Sequence, residues 1–249
     1  MAADFADFDL SQRRISSLTP EIFYIPNFIS ADEEAQLLGK IPPNRWIVLT
    51  HRRLQAHPSQ LARNNTLLRA PLPPWLTDPV VPRFERLGIF SDTPHRAPNH
   101  VLLNEYKPGE GIMPHEDGLA YAGVVATVSL GSTLVLDIYS KRDGTRMKEP
   151  KDRSQNGPKV ISRILQEPRS LLVTKGGAYA DYLHGIAPVT QDTDLNPSTV
   201  ANWSLLGNPT AFESGTSKRE TRISLTYRDV LKVSDAASRI LGKKNILVK

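Results

Sequence analysis

With 249 residues, 39% hydrophobic and 23% charged, the chain has the composition of an ordinary globular protein large enough for a substantial core. The lack of cysteine excludes disulfides and thiolate metal sites, so any metal must be held by nitrogen and oxygen donors. A net charge of +5 is compatible with a polyanionic partner but does not require one.

Residues 1–20 are polar and read as a loose segment. "MAADFADFDLSQRRISS" lacks the apolar core of a signal peptide, and nowhere do 18 apolar residues run together. The expectation is a soluble intracellular protein, nuclear and/or cytoplasmic, with no membrane contact and monomeric by default. "FYIPNFIS" then predicts a short strand, and "SADEEAQLLGKI" a helix. Ser30 and Glu33 fit a capping box, acidic residues fill the first turn, and the end falls at Gly39 or just before Pro42–Pro43. Residues 42–98 read as irregular and proline-rich, with one helix around "PRFERLGIF".

From about residue 99 the pattern becomes that of strands. "NHVLLNEYKPGEG" predicts a strand and a turn, and "VVATVSLGSTLVLDIYS" two strands broken at Gly131–Ser132. "PRSLLVTKGGAYADYLHGIAPV" gives a strand, a double glycine and more extended chain, and "ETRISLTYRDVL" closes the series. Short strands with turn signals between them argue for an antiparallel sandwich or barrel. Two segments read as long surface loops, disordered in part: the basic stretch 141–159 and the Thr, Asn, Ser, Pro and Gly-rich stretch 189–220. There is no internal repeat.

Three small constellations lie on these strands. His115 and Asp117, in "GIMPHEDGLAYAGV", are one residue apart and project to one face of an extended chain. A ferrous ion in a facial triad needs such a pair plus a second imidazole from elsewhere. His184, at the end of a strand and before a glycine, is the best placed of the five other histidines, with His51 and His57 less suited. Taken alone, each has a plain reading too: a surface pair, and a strand histidine bonded to backbone. "RETRISLTYRDV" alternates Ile223, Leu225 and Tyr227 with Arg222, Ser224, Thr226 and Arg228, which puts two arginines on one face. Of the three Arg-x5-Arg pairs in the chain, only this one falls on an alternating strand. Six residues span roughly 20 Å, so the two serve different places, a metal end and a distal carboxylate, or both are solvated. A guanidinium gripping a carboxylate in two-point fashion is what a buried dicarboxylate would need. In "LLNEY", Asn104 and Tyr106 share a face and offer an amide and a phenol.

In chain order these motifs resemble the AlkB family of iron(II)- and 2-oxoglutarate-dependent dioxygenases, and within it the branch of the sixth homologue. "FYIPNFISADEEAQLL", "RRLQ", "NHVLLNEYKPGEGIMPHEDG", "SLLV" with "LHGIAPV", and "TRISLTYR" carry the resemblance, from about residue 20 to 235. It implies a mainly β fold with flanking helices, a double-stranded β-helix or jelly roll. Residues 99–235 would be the dioxygenase core and 21–98 an N-terminal extension with a nucleotide-lid-like region, within one domain spanning 1–249. It implies that His115, Asp117 and His184 bind iron. It further implies that Asn104, Tyr106, Arg222 and Ser224 hold 2-oxoglutarate, with Arg222 on the distal carboxylate and Arg228 toward the metal. The long interval between His184 and Arg222 is read as the 189–220 loop.

The implied activity is oxidative demethylation of N-alkylated DNA or RNA, releasing formaldehyde, succinate and carbon dioxide. Relatives that act on bases commonly carry an acid two places after the metal carboxylate. Here that place is Leu119. Arg52, Arg53 and Gln55, in the lid-like region, and Tyr121 are the residues available for substrate. The alternatives are an oxygenase acting on a protein or small molecule, and a non-catalytic nucleic-acid-binding jelly roll.

Overall fold

The computed structural model describes residues 9–18, 21–141 and 159–235. Most of the basic stretch and much of the loose N-terminal segment expected from the sequence lie outside the described residues. The chain enters through β1 (Ile22–Ile25) and α1 (Ala31–Lys40). The α1 capping box is formed: Ser30 Oγ accepts from Glu33 N at 3.2 Å, and Glu33 Oε2 accepts from Ser30 N at 2.7 Å. The helix ends at Lys40, ahead of the two prolines.

The region from 42 to 98 holds the one helix expected around "PRFERLGIF" but otherwise departs from the expectation of irregular chain. It contains β2 (Ile47–Leu49), β3 (Arg52–His57), β4 (Thr66–Leu68), and the helices α2 (Pro74–Thr77) and α3 (Val80–Arg86). The polar sequence "RRLQAH" has no apolar alternation, yet β3 is held because all five of its pairs from Arg53 to His57 match β5 (His100–Tyr106). Pairing with a neighbour, which local pattern does not record, makes this a strand.

The remaining elements are β6 (Ile112–His115), β7 (Tyr121–Leu130), β8 (Leu134–Ser140), β9 (Val160–Gln166), β10 (Leu171–Lys175), α4 (Gly176–Asp181), β11 (Tyr182–Ile186), β12 (Gln191–Asp192), β13 (Ser217–Lys218), β14 (Arg222–Val230) and β15 (Lys232–Ser234). They make a seven-stranded sheet in the order β1-β10-β7-β14-β5-β3-β2 and a four-stranded sheet in the order β6-β11-β8-β9. All pairings within both are antiparallel. The fold is mainly β with flanking helices, a jelly roll.

The two faces of the larger sheet bury different chemistry. On one, Val101, Leu103, Val124, Ala126, Val128, Ile223, Leu225 and Tyr227 pack against Phe28, Leu37, Leu76, Val80 and Phe84 from the helical side. Tyr227 is fully buried and its hydroxyl donates to Leu76 O at 2.8 Å. The other face looks toward the smaller sheet across a cavity. The segment 189–220, expected as a surface loop disordered in part, is instead described throughout and packed. Leu195, Val200 and Phe212 join a second core with Tyr24, Val135 and Ile164, and Arg219 is paired with Asp192 in a buried ion pair at 2.6 Å. Its apolar residues follow no regular period, so they give no signal in sequence.

Candidate active site

Period-two alternation along three neighbouring strands aims one set of side chains into the cavity. From β5 come Leu102, Asn104 and Tyr106; from β7, Val125 and Thr127; from β14, Arg222, Ser224, Thr226 and Arg228. The smaller sheet supplies His115 and His184 across the gap, and the cavity measures about 270 Å3. Arg222 and Arg228 are 3% and 6% exposed, so neither is a solvated strand arginine.

His115 and His184 are direct cross-strand partners on β6 and β11, with ring centroids 4.4 Å apart. Asp117 follows in the turn out of β6, where Gly118 at φ +83° lets the chain reverse. One potential ligand atom from each of His115, Asp117 and His184 lies within 4.8 Å of the other two. Among the described residues this is the one His/Cys/Asp/Glu group of three that meets that condition. The close approach of β6 and β11 depends on Gly111, where a Cβ would sit 2.3 Å from Ile186 O.

The surroundings suit a cation. His115 Nδ1 donates to Met113 O at 2.9 Å, which leaves Nε2 with a free lone pair. Burial pushes the Asp117 carboxyl up, but Arg228 and then His184 and His115 outweigh it and hold it below its ordinary value. Arg228 Nη2 bonds Asp117 Oδ1 and so fixes the carboxylate. His184 is lowered to about 4, by burial first, with Asp117 opposing. The group therefore offers an anionic oxygen and two imidazole nitrogens on one side of a cavity, the donor set of a facial triad.

At the other end, Arg222 Nη2 donates to Ser129 Oγ and Gln166 Oε1, both at 2.9 Å. Its Nε is buried without a hydrogen-bond partner, and no carboxylate among the described residues pairs with it. Burial lowers its pKa to about 10. A desolvated cation with an idle donor is the chemistry of an anion site. Tyr106 is buried nearby, and burial raises its phenol despite Arg222. Asn104 Oδ1 accepts from Arg52 Nε at 3.2 Å, and Ser224 lines the same wall. These residues fit a dicarboxylate whose far end reaches Arg222. Gln166 went unnoticed in sequence because β9 did; only its place one residue before a "EP" turn hints at a strand end.

The substrate candidates separate. Arg52 and Tyr121 line the cavity, and Arg228 stacks over the Tyr121 ring at 4.8 Å. Arg53 and Gln55 do not line it, because alternation along β3 turns them to the other face. Arg53 pairs with Glu105 at 2.6 Å and lies over Trp46. Gln55 is 1% exposed and donates to Pro42 O at 2.8 Å. Leu119 is 94% exposed. Two rim contacts had no sequence signal: Tyr179 Oη donates to Gly118 O at 2.6 Å, and Lys141 bridges Glu116 and Ala180 O.

Residues 55–228 match the model of the 2OG-Fe(II) oxygenase superfamily. Over 239 residues the chain is 38% identical to the "Probable RNA/DNA demethylase ALKBH6" of Danio rerio, covering 95% of this chain and 96% of that one. The chain belongs to the AlkB family of 2OG-Fe(II) oxygenases. This AlkB-family member is also 30% identical over 213 residues to protein L905 of Acanthamoeba polyphaga mimivirus, with 84% of each chain covered. It is 28% identical over 221 residues to the "tRNA (carboxymethyluridine(34)-5-O)-methyltransferase alkbh8" of Xenopus tropicalis, covering 86% of this chain and 32% of that one. The family makes it an iron(II)- and 2-oxoglutarate-dependent dioxygenase, an oxidoreductase. No helix among the described residues is long and apolar enough to cross a membrane.

Proposed function

We propose that this dioxygenase removes alkyl groups from nitrogen atoms of nucleic-acid bases. His115, Asp117 and His184 hold the iron, Arg222 grips the far carboxylate of 2-oxoglutarate, and Asn104, Tyr106 and Ser224 flank it. Arg228 steadies the iron-binding carboxylate. The observation that carries the cofactor assignment is that, among the described residues, a convergent His-Asp-His group and a buried arginine with no carboxylate partner lie at two places in the same cavity. Bound iron(II) with 2-oxoglutarate and oxygen supplies hydroxylation of a C–H bond, and a hydroxylated N-methyl group breaks down to formaldehyde and a free N–H.

The nucleic-acid reading draws on the name of the zebrafish relative, on the net charge of +5, and on the cavity mouth. There Arg52 offers a cation and Tyr121 an aromatic face to a base turned out of its stack. Met113 and Leu119, 79% and 94% exposed, flank the metal-binding residues in sequence and give the rim an apolar surface. Leu119 also favours a second reading, an oxygenase of protein substrates, since the exposed leucine offers no acid to read a base edge. Incubation with N-methylated DNA, RNA and peptide oligomers, scored by formaldehyde release, decides between them. Release from nucleic acid alone supports the first reading. Release from peptide alone refutes it.

A further inference from the structure

Arg228 is held at its tip by Asp117 and against its plane by Tyr121, but its Nε is buried without a hydrogen-bond partner, so its aim depends on the backbone beneath it. That backbone is irregular. The β14 ladder runs in register with β7 down to Arg228↔Val125 and then shifts, so that Val230 faces Tyr121. On the β5 side, regular pairing stops at Arg228↔His100. Beyond that point one residue, through its backbone and its side chain, takes over the work of a strand. Asn99 N donates to Arg228 O at 3.1 Å, Asn99 Oδ1 accepts from Val230 N at 2.7 Å, and Asn99 Nδ2 donates to Val230 O at 3.1 Å.

Between these anchors lies Asp229, fully buried on the face opposite the cavity. Its Oδ1 accepts from Asn99 Nδ2 at 2.9 Å and from His95 Nδ1 at 2.6 Å, and its Oδ2 accepts from His95 N at 3.0 Å. Successive strand side chains point to opposite faces, so fixing Asp229 fixes the direction in which Arg228 leaves the chain. Six hydrogen bonds thus converge on three residues of β14, all from the loop before β5.

We propose that the 93–99 loop clamps the end of β14, with Asn99 of the loop and Asp229 of the strand as positioning residues for Arg228, and through it for the metal carboxylate Asp117. The inference rests on the metal site proposed above. Groups that orient a metal ligand typically change metal affinity 10- to 100-fold when lost. The clamp is one step further out, at the lower end of that range.

The test is titration of the full-length protein with cobalt(II) alone, followed by visible absorption, so no turnover is needed. Asn99→Ala should raise the cobalt Kd about tenfold. The control is Asn202→Ala, which removes a comparable side-chain pairing with Leu165 N and O on β9, at 2.9 and 2.8 Å, away from Arg228. Matched to Asn99→Ala in loss of Tm, it should stay within about twofold of wild type. In an Arg228→Ala background Asn99→Ala should add nothing, since both act through one contact. Wild-type cobalt affinity in Asn99→Ala, or effects that multiply with Arg228→Ala, overturns the clamp. Should Asn99→Ala fail to fold, Asp229→Asn keeps the shape and should still weaken cobalt about threefold; no change there refutes the proposal equally. Cobalt binding that survives His184→Ala overturns the metal-site reading itself, and the clamp with it.

Discussion

Replacing Arg222 by methionine separates a cosubstrate anchor from a structural pin. In the protein without cosubstrate, the guanidinium is 3% exposed and burial lowers its pKa from 12.5 to about 10. Keeping it charged there costs about 3 kcal/mol relative to water. Its bonds to Ser129 and Gln166 return about 1–2 kcal/mol each. The two nearly cancel, so Arg222→Met should change the stability of the metal-free protein by no more than about 1 kcal/mol, or a few degrees in Tm. Binding is a different matter. Removing one partner of a buried, hydrogen-bonded charge pair costs about 2–5 kcal/mol, so the Kd for 2-oxoglutarate should rise by about 30-fold to several thousand-fold. Anaerobic titration of 2-oxoglutarate into the iron(II)-loaded variant, beside thermal melts of the metal-free form, measures both. A loss of more than about ten degrees with unchanged 2-oxoglutarate affinity would refute the reasoning.

Other outcomes follow from the same geometry. His184→Ala should abolish metal binding by calorimetry while leaving the metal-free melt within a few degrees, because the ring lines a cavity; an equal loss of stability without metal would mark it as a core residue. Gly111→Ala drives a Cβ to 2.3 Å from Ile186 O and should push β6 off β11, lowering Tm and metal affinity together; retained affinity at wild-type level would show that the strands adjust freely. His57 and His100 are both lowered to about 4, by burial first and then by Arg45 and Arg228 respectively. The unfolded chain takes up their protons at about pH 6.5 and the folded one only near 4, so their contribution is complete above 6.5 and is lost as pH falls toward 4. Tm should drop across that window in metal-free protein, and His100→Gln should flatten the slope; an unchanged slope in that variant rules His100 out as a source.

The parts of the fold that could be read in advance are those where one local pattern carries the whole reason for the structure. The Ser30–Glu33 box needs only its own turn, and β14 declares both faces by strict alternation. His115 and Asp117 were legible as a same-face pair, but nothing in their spacing selects His184, whose place opposite His115 comes from the antiparallel register of β6 and β11. What stayed hidden depends on partners distant in sequence. β3 is polar and is a strand because β5 lies beside it; α4 was masked by a glycine pair that reads as a break. Gln166, which shares Arg222 with Ser129, lies on a strand reached only after the basic stretch. Arg53 and Gln55 were grouped with Arg52 because a mostly polar run with one leucine gives no phase; the pairing with β5 sets the phase and sends them to the opposite side.

Nine consecutive residues of β14 are buried, with Ile223, Leu225 and Tyr227 beneath and two guanidiniums above. A slip of one position would sink both cations into hydrocarbon and stand Ile223, Leu225 and Tyr227 in the reaction chamber, at an electrostatic penalty far beyond what a mispaired ladder could recover. The groups assigned to the chemistry in the proposed function would thereby also proofread assembly. A version of this protein that is compact but catalytically misaligned along its central strand should have no stable existence, and activity should track folding as a single event.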